Sequence, residues 1–162
     1  GSGVIVTASQ SRGFVVSAGS DRTMRLWRVE PPGLTRTYRG FNGEIAALGI
    51  SSDGRYLAAA VSDGSIRVWS NSSSRAIRSF KAHPNRTVAI GFGPDRLLAT
   101  AGDDGKVKVW NLRAARVIRT LSGGTASLRS LSFTPDGRRV IGAGQDGVIR
   151  VWSLDLAPAN GI

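Results

Sequence analysis

Four tryptophans constrain this chain more than any other feature. Trp27, Trp69, Trp110 and Trp152 are spaced 42, 41 and 42 residues apart. Each closes the same short text: MRLW at 24–27, SIRVW at 65–69, KVKVW at 106–110 and VIRVW at 148–152. Six residues before each stands an aspartate, Asp21, Asp63, Asp104 or Asp146, and the last three continue Asp-Gly. A constant period of this length marks a repeat architecture, in which a unit buries its apolar side chains only by stacking on its neighbours. Asp-Gly between two apolar runs is a hairpin signal.

A second turn recurs upstream, as Ser52-Asp53-Gly54, Pro94-Asp95 and Pro135-Asp136-Gly137, with Ser11-Arg12-Gly13 in that place in the first copy. Between the turns lie short runs of β-formers with a period near two. One class is 14–19, 55–61, 96–101 and 138–144; another is 4–9, 45–51, 88–93 and 128–134; a third is 34–39, 75–80 and 116–121. With the tryptophan strands these make fifteen strands, and no useful helical periodicity competes with them. Short strands with turns every 8–12 residues mean an all-β protein. Four strands per period of 41–42 residues narrow it to a β-propeller.

Composition removes most chemistry. The chain of 162 residues has no cysteine and one histidine, His83, so disulfides, thiolates and zinc fingers are excluded. Neither a membrane-length apolar run nor a secretory leader is visible, and the expected compartment is the cytoplasm. No phosphate-binding G-x-x-x-x-G-K-[ST] occurs; Gly102-Asp103-Asp104-Gly105-Lys106 lacks the spacing and reads as a strand turn. Asn71-Ser72-Ser73 and Asn85-Arg86-Thr87 fit the glycosylation pattern by chance. No cofactor, metal or catalytic group is expected. The net charge is +11, and 19 of the 22 bases are arginine. It reads either as a coding bias on a solvated surface or as attraction for phosphates and acidic partners.

The turn, strand, Asp-Gly, Ile-Arg-Val-Trp order resembles the WD-repeat family, from about Val4 to Leu154. Two features depart from it. The residue after each tryptophan is Arg28, Ser70, Asn111 or Ser153 rather than aspartate, and the family's Gly-His appears as Gly40-Phe41, Ala82-His83 and Gly123-Gly124. The resemblance implies four blades, at 4–40, 45–82, 88–123 and 128–154, the last without its outer strand and followed by a tail at 155–162. It also implies a buried Asp–His–Ser/Thr–Trp chain in each blade. Only blade 3 matches in full, with His83, Thr100, Asp104 and Trp110. Blade 1 offers Ser17, Asp21 and Trp27; blade 2 Phe41, Ala59, Asp63 and Trp69; blade 4 Gly124, Gly142, Asp146 and Trp152. Trp27, Trp69 and Trp152, with Asp21, Asp63 and Asp146, are therefore expected in the blade cores. The set Asp104, His83 and Thr100 looks like a catalytic triad, but no second histidine or oxyanion motif accompanies it, and the scaffold reading wins.

By resemblance the function is a non-catalytic scaffold that binds proteins or peptides, acidic ones among them, through the face carrying the turns between blades and after the second strand. Arg22, Phe41, Glu44, Arg86, Asp103 and Arg129 are the candidate contacts. Phe41 is either core in the histidine's place or an exposed anchor. Arg36, Arg78 and Arg119 recur on the outermost strands, as do Arg75 and Arg116, and Arg39 and Lys81. They read as edge protection or as a basic rim for nucleic acid or another anionic surface. Four blades sweep half of an eight-bladed ring, so a second copy is expected to close it; the alternative is a half-propeller that needs further blades.

Overall fold

The computed structural model describes residues 4–8, 13–122, 124 and 127–154. The turn at Ser11 and Arg12, most of the turn at 123–126 and the tail at 155–162 lie outside the described residues. The described residues are all-β apart from one short 3-10 turn, Pro94–Arg96. Blade 1 is β1 (Val4–Ala8), β2 (Phe14–Gly19), β3 (Met24–Arg28) and β4 (Gly33–Tyr38). Blade 2 is β5 (Ile45–Ile50), β6 (Tyr56–Val61), β7 (Ser65–Ser70) and β8 (Ala76–Lys81). Blade 3 is β9 (Thr87–Phe92), β10 (Leu97–Gly102), β11 (Lys106–Asn111) and β12 (Arg116–Ser122). Blade 4 is β13 (Leu128–Phe133), β14 (Arg139–Gly144) and β15 (Ile149–Ser153). Every sheet is an antiparallel meander in chain order, four-stranded in blades 1 to 3 and three-stranded in blade 4. This is the arrangement of a propeller fragment.

The alternation of side chains along a strand assigns the two faces of each blade. On the third strands, Met24 and Leu26, Ile66 and Val68, and Val107 and Val109 are all fully buried. They face the next blade: Met24 and Leu26 share a core with Trp69, Ile66 and Val68 with Trp110, and Val107 and Val109 pack with Trp152. Tyr38 stacks 5.3 Å from Trp69, and Phe80 4.4 Å from Trp110. Burying one such Val, Ile or Leu side chain contributes about 1.5–3 kcal/mol, so three repeated seams hold four sheets together.

The tryptophan of a blade therefore looks back at the preceding blade, and this corrects the expectation for Trp27. It is 37% exposed, where Trp69 is 3%, because no described blade precedes it. Trp152 is half-buried against blade 3. The trailing face of blade 4 is open in the same way: Ile149 and Val151 are 70% and 54% exposed, although their counterparts in the other blades are buried.

Rim arginines add to two of the seams. Arg36 on β4 donates to the Asn71 carbonyl of blade 2 at 2.6 Å, and Arg119 on β12 to the Leu154 carbonyl of blade 4 at 3.1 Å. Both acceptors lie two residues past the tryptophan. These two side chains join blades as well as charging the rim.

Tyr38 carries the one buried side-chain polar atom without a hydrogen-bond partner among the described residues. Burial pushes its phenol above the ordinary value, with the Arg36 charge opposing. Phe80 occupies the same register in blade 2. We predict that Tyr38→Phe changes stability by no more than about 1 kcal/mol in either direction, since the buried hydroxyl has only the Arg36 guanidinium beside it and no well-formed hydrogen bond. Urea unfolding checks this; a loss above that size would mean the hydroxyl has a partner in solution.

Candidate functional site

The four repeated aspartates sit in the turn between the second and third strands. Each accepts the N–H two residues on: Thr23 at 3.1 Å, Ser65 at 2.8 Å, Lys106 at 3.1 Å and Val148 at 3.1 Å. This is an Asx turn, and it shapes the hairpin. Asp21, Asp63 and Asp146 are exposed, which corrects their expected place in the core; their carboxylates cap turns at the surface.

In blade 3 the four expected residues form a continuous chain. Trp110 Nε1 donates to Thr100 Oγ1 at 2.9 Å, Thr100 Oγ1 lies 3.0 Å from His83 Nε2, and His83 Nδ1 lies 3.1 Å from Asp104 Oδ1. Indole N–H can only donate, so the chain closes without conflict when the threonine proton points at Nε2 and Nδ1–H points at Asp104. Burial pushes His83 below its ordinary value, although Asp104 pulls the other way. For Asp104, burial alone would raise the carboxyl; the hydrogen bonds from His83 and the Lys106 N–H outweigh it and hold it low. Gly102 makes the room: a Cβ there would stand 2.4 Å from His83 Nδ1 and 2.5 Å from Asp104 Oδ1. The ring faces no solvent, so the set has the geometry of a scaffold bond network.

The other blades solve the same position differently, with a residue the sequence reading passed over. Two residues before each tryptophan is a cation: Arg25, Arg67, Lys108 and Arg150. In blades 1 and 4 it turns onto the blade's own aspartate, Arg25 to Asp21 and Arg150 to Asp146, both at 2.6 Å. These hydrogen bonds hold both carboxyls down at about 2. In blades 2 and 3 it reaches the loop before the blade, Arg67 to the Gly40 carbonyl at 2.7 Å and Lys108 to the Ala82 carbonyl at 2.6 Å. The fourfold recurrence was the available signal. Trp27 Nε1 donates to Ser17 at 2.8 Å, and Trp152 Nε1 to the Ser122 carbonyl at 3.0 Å.

Phe41 is buried, 5.7 Å from Trp69 and beneath the Arg67 guanidinium at 5.5 Å. It fills the histidine's place as core, which removes it from the candidate contacts. Arg22, Glu44, Arg86, Asp103 and Arg129 are exposed. Arg22 occupies a left-handed turn position at φ 56. In blades 2, 3 and 4 the turn before the blade is tied through the backbone to the turn inside it: Ser62 N–H to the Glu44 carbonyl at 2.8 Å, Asp103 N–H to the Arg86 carbonyl at 3.1 Å, and Gln145 N–H to the Ser127 carbonyl at 2.9 Å. At Gly64 the approach is closest, since a Cβ would meet the Asn85 carbonyl oxygen at 2.0 Å and φ is +86. One face of the fold is thereby a stiff platform.

A cavity of about 470 Å³ lies at the inner strands on the opposite side, near the turns of Pro94 and Pro135, with Phe92 and Phe133 in its wall. It is away from the candidate contacts. Among the described residues no three His, Asp or Glu side chains gather as metal ligands, and no helix is long and apolar enough to cross a membrane.

A family model described as WD domain, G-beta repeat matches four times, at residues 2–28, 33–70, 74–111 and 115–153. Curated relatives carry the same similarity. The chain is 23% identical over 149 residues to cell division cycle 20.1, cofactor of APC complex, of Arabidopsis thaliana, covering 90% of this chain and 33% of that protein. It is 32% identical over 155 residues to the nuclear distribution protein PAC1 of Arthroderma benhamiae, covering 88% and 34%. It is 28% identical over 155 residues to pre-mRNA-processing factor 19 of Caenorhabditis elegans, covering 92% and 31%. The chain spans about a third of the length of these relatives.

Two predictions follow from unequal blades. Trp110→Ala or His83→Ala is expected to cost about 3 kcal/mol or more, and Trp152→Ala less, because the second tryptophan is only half-buried. Urea melts decide it, and a larger loss for Trp152→Ala refutes the ranking. For pH, His83, Asp21 and Asp146 are all lowered by folding, so each contributes stability that is complete above its unfolded value and lost as the pH falls. The histidine share fades below 6.5, and the two carboxylate shares between 3.8 and about 2. Asp146→Asn should make the lower window of a urea-midpoint profile shallower, with Asp21, Asp63, Asp104 and Asp136 supplying the remainder, and leave the upper one unchanged.

Proposed function

The chain belongs to the WD domain, G-beta repeat family, and from that premise we propose that it is a non-catalytic scaffold binding a protein or peptide on the tied turn face. The observation that carries this reading is the set of three backbone ties from Glu44 to Ser62, Arg86 to Asp103 and Ser127 to Gln145. They hold the backbone of these turns in place before a partner arrives, which lowers the ordering cost of binding. Arg86 and Arg129 give the face cations that suit an acidic segment. The relatives named after a cofactor of the APC complex and after pre-mRNA processing are consistent with assembly work, and each name belongs to its own protein. The cytoplasm remains the proposed compartment.

A second reading has its own observation. The stretches 33–39, 75–81 and 116–122 hold seven cations, Arg36, Arg39, Arg75, Arg78, Lys81, Arg116 and Arg119, and no carboxylate. Such a rim fits a polyanion such as nucleic acid, with binding that falls steeply with salt.

Self-association is also proposed. The open end faces carry Trp27 on one side and Ile149 and Val151 on the other, the two halves of the seams inside the chain. A blade face of about 350 Å² from strand spacing and rise gives two closing seams on the order of 1,400 Å², enough for a specific dimer. Light scattering tests it: the expected mass is twice 17.1 kDa, and a monodisperse monomer at micromolar concentration overturns it.

The face is tested with fluorescent Glu/Asp-rich peptides and a duplex oligonucleotide, read by anisotropy. Arg86→Glu with Arg129→Glu is expected to weaken peptide binding about tenfold or more, as loss of two favourable charges implies, without lowering the melting temperature. Arg75→Glu, Arg78→Glu and Arg116→Glu should leave it unchanged. If only the rim variants act, and only on the oligonucleotide, the second reading takes over.

A further inference from the structure

The sequence holds five asparagines, and two of them, Asn42 and Asn160, precede a glycine. Asn160 lies outside the described residues. In an Asn-Gly pair the glycine nitrogen can attack the side-chain amide carbon of the asparagine, because glycine has no Cβ to obstruct the approach. In a folded chain the attack also needs an exposed asparagine, a carboxamide that no hydrogen bond holds, and a following N–H that none holds either.

Asn42 meets these conditions. It is exposed on the bend between blades 1 and 2. Among the described residues neither its carboxamide nor the Gly43 N–H has a hydrogen-bond partner, although the next N–H, of Glu44, donates to Ser62 Oγ at 3.2 Å. The other three described asparagines are restrained. Asn71 Nδ2 donates to the Gly54 carbonyl at 2.7 Å, and the following Ser72 N–H to Ser70 Oγ at 3.4 Å. Asn111 Oδ1 accepts the N–H groups of Arg113 and Ala114, and the following Leu112 N–H donates to the Arg96 carbonyl at 3.0 Å. After Asn85, the Arg86 N–H donates to Asp103 Oδ1 at 3.3 Å.

The glycine at 43 is demanded by packing. A Cβ there would stand 2.6 Å from Ser62 Oγ and 3.2 Å from Val61 Cγ1. The close approach that lets this turn reach Ser62 therefore also leaves the Gly43 nitrogen unobstructed.

We propose that Asn42 is a site of spontaneous covalent modification, converted through a succinimide to aspartate and isoaspartate. The Gly43 nitrogen gives up its proton and bonds to Asn42 Cγ; the Cγ–Nδ2 bond breaks and ammonia leaves. One water then opens the ring. Cleavage at Cγ restores the main chain and leaves an aspartate side chain; cleavage at the main-chain carbonyl carbon leaves isoaspartate, with the main chain running through Cγ. Water enters, ammonia departs, and no oxidant or reductant is needed. Either product places a second carboxylate beside the exposed Glu44, in a turn, 41–44, that holds no cation. The isoaspartyl form also lengthens the main chain just before Glu44, whose carbonyl accepts the Ser62 N–H. The site is thus an irreversible charge switch in the corner of blade 2.

Trypsin, cutting after arginine and lysine, puts all five asparagines on separate peptides, Asn42 on 40–55. The test holds the full chain in warm, mildly alkaline buffer and follows these peptides over time by mass spectrometry. Asn42 is expected to convert at least about tenfold faster than Asn71, Asn85 or Asn111, as the hydrogen bonds restraining those three imply. Peptide 40–55 should yield two products, only one of them cut before residue 42 by an endoproteinase specific for aspartate. Asn42→Gln, whose longer side chain closes a ring far more slowly, should keep the melting temperature and leave the peptide unchanged. Asn42→Asp should keep the Ser62 amide protected from exchange, whereas the isoaspartyl protein should exchange it about tenfold faster, since one main-chain hydrogen bond is weakened. Equal rates at Asn42 and the restrained three overturn the proposal. So does conversion of Asn42 only after unfolding in urea, which would mean that the turn withholds the Gly43 nitrogen. Unchanged Ser62 exchange in the isoaspartyl protein overturns the effect on the turn.

Discussion

The contact on which the rest of this structure depends is the one between an apolar pair on the third strand of a blade and the tryptophan side of the blade that follows. A single four-stranded sheet has two apolar faces and cannot shelter either alone. Met24 and Leu26, Ile66 and Val68, and Val107 and Val109 disappear from solvent only because another sheet is laid across them. The energy of the array is then a sum over seams between neighbours. It also sets the boundary conditions: both terminal faces keep the residues of a seam with only half of its partners, which is why Trp27 at one end and Ile149 at the other have the same character.

Within a blade, the aspartate of the second turn is a constant and its partner a variable. The Asx bond to the N–H two residues on is made in all four copies, so hairpin geometry does not depend on what else the carboxylate meets. A buried histidine, an arginine from the neighbouring strand, or a serine hydroxyl as at Asp63 can each complete it. Histidine brings the interior of the blade into the network through Thr100 and Trp110. Arginine keeps the interaction at the surface, where a charge pair contributes little to stability because water competes for both partners.

The fold was readable from the sequence because its signals are local and repeated: a turn, two alternating runs, an Asp-Gly, and a tryptophan at constant spacing. Fifteen strands and their grouping follow from that text. The blade 3 network was readable for a different reason, since its four residue types come together only through a known scaffold position. Exposure of Trp27 depends on which sheet lies across which face, and strand periodicity gives the alternation without its sign. Asp21, Asp63 and Asp146 stand in turns, where their carboxylates cap the next N–H groups at the surface, and Phe41 lies in a loop, where no periodicity decides between the two readings its position allowed. Arg36 and Arg119 read as charges on a rim, yet each also spends a donor on a carbonyl of the adjoining blade, a role that only three-dimensional adjacency reveals. Arg25 and Arg150 were visible as a recurring cation, but not the aspartate each would choose.

The ties between Glu44 and Ser62, Arg86 and Asp103, and Ser127 and Gln145 run between a main-chain N–H and a main-chain carbonyl. Such a bond is indifferent to the side chains it carries, which are different in each of the three copies. Replacing one of them rewrites the chemistry presented at that point and leaves the supporting geometry in place. Scaffold and surface are in this sense separately inherited: one can drift, duplicate or specialise under selection for a new partner while the other goes on obeying the same rule.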